Sequence, residues 1–296
     1  MSRTGRVVAI DGTVVSPDRA VVSVFDRGFL YGDAVFEVFR TYGGAPFALD
    51  EHLARLRSSA ERVFIPLPVD ETTLRREVEA ALAAAGNDES YIRVIVTRGT
   101  GPLSLDPATA GSPLRVVIVD PVAPPPREAY VHGVALASVR ARRAVDDTAA
   151  AGAKVSNYLA SLLALREAKA RGAAEALVVD SAGHVVEGAT SNVFVVAGGR
   201  VATPPPSAGI LVGITRAHVL LAAAGLGIST DERTVPLGEL YASDEVFITS
   251  SIRELLPVVR VDDRTIGGGV PGPVSRALHR RFRDDVGMVG RPMPYD

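Results

Sequence analysis

The chain has 296 residues, 47% hydrophobic and 22% charged, with a formal net charge of -2 and no cysteine. That length allows two domains with substantial cores. The near-neutral charge excludes the basic footprint of a nucleic-acid binder, and the lack of cysteine excludes disulfides and thiolate metal sites. No apolar run approaches the roughly 18 residues of a membrane span, and Met1 to Arg6 leads into a hairpin rather than an apolar leader. A soluble, cytoplasmic protein that binds neither membrane nor nucleic acid is expected.

Val7 to Ile10 and Thr13 to Val15 flank Asp11-Gly12, a pair that accepts the positive φ angles of a type I′ hairpin turn. Ser23 to Asp33 reads as a loop with two glycines and an acid. Ala34 to Tyr42 reads as a strand, followed by a Gly43-Gly44 turn and a short return through Phe47. Asp50 is expected to cap a helix whose apolar positions Leu53, Leu56, Ala60, Val63 and Phe64 recur at helical spacing. A second helix from about Asp70 to Ala85 stops at Gly86-Asn87. Strands Tyr91 to Thr97 and Leu114 to Asp120 follow, separated by a Gly/Pro-rich loop.

The run Pro121-Val-Ala-Pro124-Pro125-Pro126 is stiff and extended by composition. It predicts a small N-terminal α+β domain over 1–120, a linker over 121–130 and a large C-terminal domain over 131–296. Beyond it come a strand from Val131 to Val139, the Lys154 loop with its following helix, and strands over Ala176 to Val179, at Val185-Val186-Glu187 and over Asn192 to Val196. Gly213-Ile214-Thr215 opens a helix to about Gly225, a strand over Glu245 to Thr249 ends at Ser250-Ser251-Ile252-Arg253, and a basic helix starts after Pro273.

The chain carries 30 arginines and two lysines, Lys154 and Lys169. Arginine stands wherever charge alone is wanted, so a retained lysine points to a demand guanidinium cannot meet: losing its proton to act as a nucleophile. Schiff-base formation with an aldehyde is the commonest such demand. Lys169 falls late on a predicted helix, where a cation complements the dipole. Lys154 precedes that helix among small residues, and position alone leaves both a catalytic and an idle surface role open.

Gly213-Ile214-Thr215 would offer free backbone N–H groups to a phosphate, though taken alone the signal more often marks a plain capped helix. Ser250-Ser251 adds hydroxyls and amides, or is a simple turn. Arg55, three residues after His52, could present a fork to phosphate oxygens or be a solvated helix-face residue. Glu187 is either half-exposed or a buried carboxylate in need of a partner. His52 reads as a packed hydrogen-bonding residue, and no His/Asp/Glu spacing suggests a metal. Together, a nucleophilic lysine, phosphate-holding elements and an isolated carboxylate are the requirements of pyridoxal 5′-phosphate.

In these motifs the chain resembles the class IV, fold-type IV aminotransferases, the group of branched-chain amino-acid aminotransferase, D-amino-acid aminotransferase and 4-amino-4-deoxychorismate lyase. The resemblance runs from about Ser23 to Leu278. It is carried by Gly32-Asp33 with Phe36-Glu37, His52-Leu53-x-Arg55-Leu56, Lys154-x-x-Asn157-Tyr158, Glu187-Gly188-x-x-Ser191-Asn192-x-Phe194, Gly213-Ile214-Thr215-Arg216 and Thr249-Ser250-Ser251. It implies a two-domain α+β fold of the D-amino-acid aminotransferase type, the larger domain carrying Lys154 as the Schiff-base lysine and proton carrier. Glu187 would partner the pyridinium nitrogen and Tyr158 would touch the phenolic oxygen. Arg55, Ser191, Asn192, Gly213, Ile214, Thr215, Ser250 and Ser251 would complete the cofactor shell. Tyr31, Phe36, Val38, Tyr91, Arg93, Arg98 and Ile252 are candidates for the substrate wall, and a homodimer is implied.

The subfamily signals divide. Tyr91-Ile92-Arg93 and the post-lysine helix resemble branched-chain enzymes. Asp26-Arg27-Gly28, Val38 and Thr97-Arg98-Gly99-Thr100 resemble D-amino-acid aminotransferase, whose arginine at the place of Arg98 grips the substrate carboxylate with a histidine two residues on, where Thr100 stands here. Lys154-x-x-Asn157 is one residue shorter than the usual branched-chain motif. The expected activity is transamination between hydrophobic, branched-chain L-amino acids and a 2-oxo acid such as 2-oxoglutarate. A D-amino-acid or R-amine transaminase, the lyase, and a non-catalytic cofactor carrier are the alternatives.

Overall fold

A computed structural model describes residues 5–140 and 150–296. The start of the chain, read above as free of an apolar leader, lies partly outside the described residues. Among those described, no helix is long and apolar enough to cross a membrane. The chain divides into two compact units, Met1–Ala123 with Thr148–Tyr158, and Pro124–Asp147 with Leu159–Asp296.

The first unit is built on β1 (Val7–Ile10), β2 (Thr13–Val15), α1 (Arg27–Tyr31), β3 (Ala34–Tyr42), β4 (Ala45–Pro46), α2 (Leu49–Arg62), α3 (Glu71–Ala85), β5 (Ser90–Thr97) and β6 (Leu114–Pro121). Its strands form one antiparallel sheet in the order β2-β1-β6-β5-β3-β4. Local chemistry sets several boundaries. Asp11 and Gly12 take φ of 47° and 80°, as a type I′ turn requires. Asp70 caps α3 by accepting from Thr73 N–H at 2.8 Å, and Gly86 ends it at φ 62°.

Two expectations change here. The stretch 23–33 contains a short helix, because Asp26 accepts from Gly28 N–H at 2.8 Å and Gly32 closes the turn at φ 68°. Helix α2 starts at Leu49 from Ala48 at φ 49°, so Asp50 lies in its first turn, where it complements the dipole without capping.

Strand periodicity divides the faces of this sheet. Val35, Phe39, Ile92, Val94 and Val96 pack against Leu53, Leu56, Leu74 and Val78 of the two helices. Phe36, Val38, Tyr91, Arg93 and Ile95 alternate with them and therefore point to the opposite face, where all but Phe36 are half-buried.

The segment carrying Lys154 belongs to this unit, not to the C-terminal domain expected from its position in the chain. The first half of β3 leaves an edge open, because β4 pairs only with Thr41 and Tyr42. Onto that edge Phe36 N–H donates to Lys154 C=O at 3.0 Å and Ser156 N–H to Ala34 C=O at 2.8 Å, around a Val35–Val155 bridge. Long-range pairing overrides chain order.

The second unit contains α4 (Arg127–Val131), β7 (Val134–Arg140), α5 (Leu159–Ala170), β8 (Glu175–Val179), β9 (His184–Gly188), β10 (Asn192–Ala197), β11 (Arg200–Thr203), α6 (Ile214–Gly225), β12 (Thr230–Glu232), β13 (Val235–Pro236), α7 (Leu237–Ala242), β14 (Glu245–Ser250), β15 (Glu254–Val261), β16 (Arg264–Thr265) and α8 (Pro273–Asp285). Nine strands run in the order β12-β11-β10-β14-β15-β7-β8-β9-β13, with β16 on β15. The proline run is shorter as a linker than 121–130, since β6 continues to Pro121 and Pro126 is the residue from which α4 starts. Tyr130, buried in the core with Leu136, Leu177, Val193, Ile248 and Val258, ties α4 to this unit. The basic helix begins at Pro273 itself, where the missing N–H costs nothing.

Candidate active site

Pairing with β3 determines where Lys154 points. Val155 faces the helix side with Val35, partly buried in that core, so by alternation Lys154 shares the other face with Phe36. Its Nζ lies 4.7 Å from the centre of the Phe36 ring and 3.5 Å from the Tyr158 hydroxyl, while its backbone N–H donates to Ser59 Oγ at 3.1 Å. Tyr158 meets Phe36 edge to face at 5.2 Å, and the Arg93 guanidinium lies 4.1 Å from the same ring centre. The shortened Lys-x-x-Asn-Tyr spacing thus brings Lys154 and Tyr158 side by side. Val38 pairs with Arg93 across the β3–β5 ladder and Tyr91 is two residues from Arg93, so Phe36, Val38, Tyr91 and Arg93 form one mixed apolar and cationic surface.

Behind that face, Glu37 is wholly buried. Arg55 grips it with two bonds of 2.7 Å, Nε to one oxygen and a terminal nitrogen to the other, and His52 Nδ1 lies 2.7 Å from the second oxygen. Burial alone would raise the Glu37 carboxyl, but Arg55 and then His52 pull it down to about 2. Burial pushes His52 the opposite way, below its ordinary value, and outweighs the pull of Glu37. Glu37 is therefore a fixed anion that orients the Arg55 fork, and His52 is a packed hydrogen-bonding residue, as expected.

Arg98 is placed differently from the substrate-wall expectation. Its guanidinium donates to Asp33 at 2.8 Å, to Val63 C=O at 2.8 Å and to Phe64 C=O at 2.6 Å. It clamps the end of α2 to the start of β3, and Asp33 also takes Arg27 at 2.9 Å. Tyr31 is exposed, as are Val24, Phe25 and Phe29, and its ring centre lies 5.1 Å from the Arg27 guanidinium.

In the second unit the glycines mark close approaches. A Cβ on Gly188 would overlap Ser191 Oγ, and one on Gly213 would overlap Asn192 Oδ1. Glu187, buried at the end of β9, accepts from Leu211 N–H at 2.9 Å, and Asn192 donates to Leu211 C=O at 2.8 Å. The loop before α6 is thereby held on β9 and β10, two strands consecutive in the chain. Helix α6 starts at Gly213 with no side-chain cap among the described residues, so the first-turn amides of Ile214 and Thr215 lack an intrahelical partner at the positive end of a dipole. Ser191 Oγ and Thr249 Oγ1 are buried with no hydrogen-bond partner among the described residues. Ser250, Ser251 and Ile252 form the half-buried turn between β14 and β15. Uncapped amides, orphaned hydroxyls and glycines that admit close approach suit an anionic group such as phosphate.

Comparison with known proteins gives this geometry a family. Residues 34–261 match the family model for amino-transferase class IV. The chain is a class IV aminotransferase. A Methanocaldococcus jannaschii protein assigned as a branched-chain-amino-acid aminotransferase is 39% identical over 277 residues, 94% of this chain and 95% of its relative. D-alanine aminotransferase of Bacillus licheniformis is 32% identical over 279 residues, covering 94% and 96%. The crystal structure of a branched-chain aminotransferase from the thermophilic archaeon Thermoproteus uzoniensis with norvaline superposes with a TM-score of 0.87 at 32% identity, covering 98% of this chain and 97% of that one. Another branched-chain amino acid aminotransferase, from T.th. and crystallised with pyridoxamine 5′-phosphate, superposes with a TM-score of 0.89 at 32% identity, covering 96% and 95%.

The α+β fold expected for a class IV aminotransferase is therefore present. What the sequence leaves unannounced in this aminotransferase are the partners: Glu37 on Arg55, Ser59 on Lys154, Asp33 on Arg98, and the residues around Arg253 and Glu254. Each pair joins residues far apart in the chain, and no local spacing signals them. The positive φ of Glu254, 57°, is likewise invisible before folding.

Proposed function

We propose that this aminotransferase is a pyridoxal-phosphate-dependent transaminase that moves the amino group of hydrophobic, branched-chain L-amino acids to a 2-oxo acid such as 2-oxoglutarate. The observation that carries the reading is the Lys154 cluster: one amine against Phe36 and Tyr158, beside the Val38, Tyr91 and Arg93 surface. When bound, the cofactor supplies a pyridinium ring able to accept the charge left at the substrate Cα. Lys154 would join its aldehyde and, once displaced, take the Cα proton as a neutral amine. Glu187 would hold the ring nitrogen protonated. Ile214 and Thr215, Ser191 and Asn192, Ser250 and Ser251, and Arg55 oriented by Glu37 would hold the phosphate and ring.

Arg93 is our candidate for the substrate carboxylate, with Phe36, Val38, Tyr91 and Ile252 lining the side chain. The commitment of Arg98 to Asp33 and two carbonyls favours the branched-chain reading over the D-specific one, in which that arginine would have to be available. A cytoplasmic homodimer belongs to the same reading. The first unit exposes Val21, Val24, Phe25, Phe29, Leu103 and Leu105, and α5 exposes Leu159, Leu162 and Leu163 at i, i+3, i+4. Exposed apolar residues on each unit support an interface with a second copy, and we assign Tyr31, exposed on the first unit, to it. A solution mass of twice 31.0 kDa is expected.

The deciding experiment is a half-reaction screen of the cofactor-loaded enzyme with paired L- and D-amino acids, following the visible band. L-leucine, L-isoleucine and L-valine should each convert it to the pyridoxamine form, and Lys154→Ala should not respond. Conversion by D-donors alone would transfer the assignment to the D-specific group. No conversion by any amino acid of either hand, nor by a simple amine, would sink the transaminase reading, and pyruvate release from aminodeoxychorismate would then test the lyase.

A further inference from the structure

The turn between β14 and β15 is closed by an unusual residue. Ser250 pairs with Glu254 across Ser251, Ile252 and Arg253, and Glu254 has φ 57°, the left-handed conformation that glycine ordinarily supplies at hairpin turns. A glutamate in that conformation is strained, and it persists where surrounding contacts compensate. It is held from one side by α8: His279 Nε2 lies 2.7 Å from one Glu254 oxygen, and Arg283 contacts both oxygens at 3.1 Å. All three side chains are largely buried.

Arg253, one residue earlier, is held from another direction. Its guanidinium donates to Thr190 Oγ1 at 2.8 Å and pairs with the buried Glu175 at 2.9 Å, while the Thr190 hydroxyl donates to Glu175 at 2.6 Å. Thr190 is the residue before Ser191. The Arg253 carbonyl in turn accepts from the Tyr130 hydroxyl at 3.0 Å, and Tyr130 stacks on His279 at 5.8 Å. Neither carboxylate has a place among the residues assigned to the cofactor or to chemistry.

We propose that Glu254 and Arg253 are positioning residues that fix the Ser250-Ser251 turn for an anionic phosphate group, Glu254 through His279 and Arg283, Arg253 through Glu175 and Thr190. Charged anchors on two consecutive residues at its C-terminal side, held by different elements, give the turn one geometry, and Thr190 places the neighbouring Ser191 in the same frame. Preorganised donors bind an anion without reordering on contact. The inference rests on the reading of this turn as a phosphate holder, and the test separates the two.

The apoenzyme is titrated with pyridoxal 5′-phosphate and with unphosphorylated pyridoxal, and the ratio of the two affinities, read from the visible imine band, reports how well the phosphate is held. Glu254→Gly keeps the left-handed backbone without strain and removes the anchor. It should reduce the ratio at least about tenfold by weakening only the phosphorylated ligand, with Glu254→Gln intermediate. Arg253→Gln, at a partly exposed side chain, tests the second anchor if the glycine variant does not fold, and should lower the ratio similarly. Ser251→Ala is the reference that tests the turn itself. If Ser251→Ala lowers the ratio while a folded Glu254→Gly or Arg253→Gln retains the wild-type value, the positioning role is overturned. If Ser251→Ala also leaves the ratio unchanged, the phosphate reading of the turn falls and the inference falls with it.

Discussion

The two units each bury a glutamate between a histidine and an arginine drawn from one helix, yet the arrangements serve opposite ends. In the first unit His52 and Arg55 of α2 grip Glu37 in the middle of β3; in the second His279 and Arg283 of α8 grip Glu254 at the start of β15. Glu37 has ordinary strand backbone, and the partly exposed member is Arg55, whose side chain is 16% exposed against 0% for Glu37. There the carboxylate serves the arginine by fixing the orientation of a guanidinium. Glu254 is the strained member, and Arg283 is nearly as buried as the carboxylate. There the arginine serves the carboxylate and, through it, a turn. One set of side chains thus orients either a cation or a backbone, depending on which member is left to face outward.

The largest effect should come from breaking the first arrangement. Glu37→Gln leaves Arg55 and His52 around a neutral group, and removing one partner of a buried pair typically costs about 3–5 kcal/mol. Thermal unfolding should show this as a clear loss of Tm, accompanied by weaker cofactor binding. A wild-type Tm would mean that Arg55 carries no uncompensated charge in the variant, contrary to the bidentate contact.

Acid should reproduce part of that loss. The folded Glu37 carboxyl is at about 2 against an ordinary 4.5, so its contribution is present above pH 4.5 and disappears as pH falls toward 2. Denaturant unfolding across that window should lose on the order of 3 kcal/mol from this group, and Glu37→Gln should flatten the profile there. His52, held below its ordinary value, adds to acid sensitivity as pH falls through the histidine range. An identical acid limb in wild type and Glu37→Gln would remove Glu37 from the account.

Arg98 sharpens the comparison as an arginine that serves only the fold. Arg98→Ala removes charge-assisted bonds to Asp33 and to the end of α2, worth about 1.5–3 kcal/mol, while the KM for amino donors should stay within about twofold of wild type. A large rise in KM with unchanged stability would return Arg98 to the substrate wall. The smallest effect is expected at His279→Gln: Arg283 still neutralises Glu254, and one hydrogen bond is worth about 1 kcal/mol. A cost rivalling that of Glu37→Gln would show that the histidine, not the arginine, carries the second arrangement.

Much of the local structure is legible in the chain. The type I′ turn at Asp11-Gly12, the Asp70 cap and the Gly86 stop depend on backbone preferences within a few residues, and periodicity separates the core-facing Val35 and Phe39 from Phe36 and Val38. Asp50 and the 23–33 stretch depart from expectation because a cap and a short helix depend on one or two φ angles that neighbours such as Ala48 and Gly32 decide. The candidate site is legible as a set of residue types: one of two lysines among 30 arginines, a glycine at a helix start, paired serines after a strand.

The sequence by itself determined this inventory, because residue chemistry and backbone propensity are local properties. Only tertiary structure decided that Lys154 joins the open edge of β3 in the first unit, that Arg98 is consumed by Asp33 and two carbonyls, that Glu37 orients Arg55, and that Glu254 holds a left-handed angle through α8. Those assignments follow from pairing and burial between distant segments, where a charged group must find its partner in space because the low-dielectric interior leaves it no water to turn to.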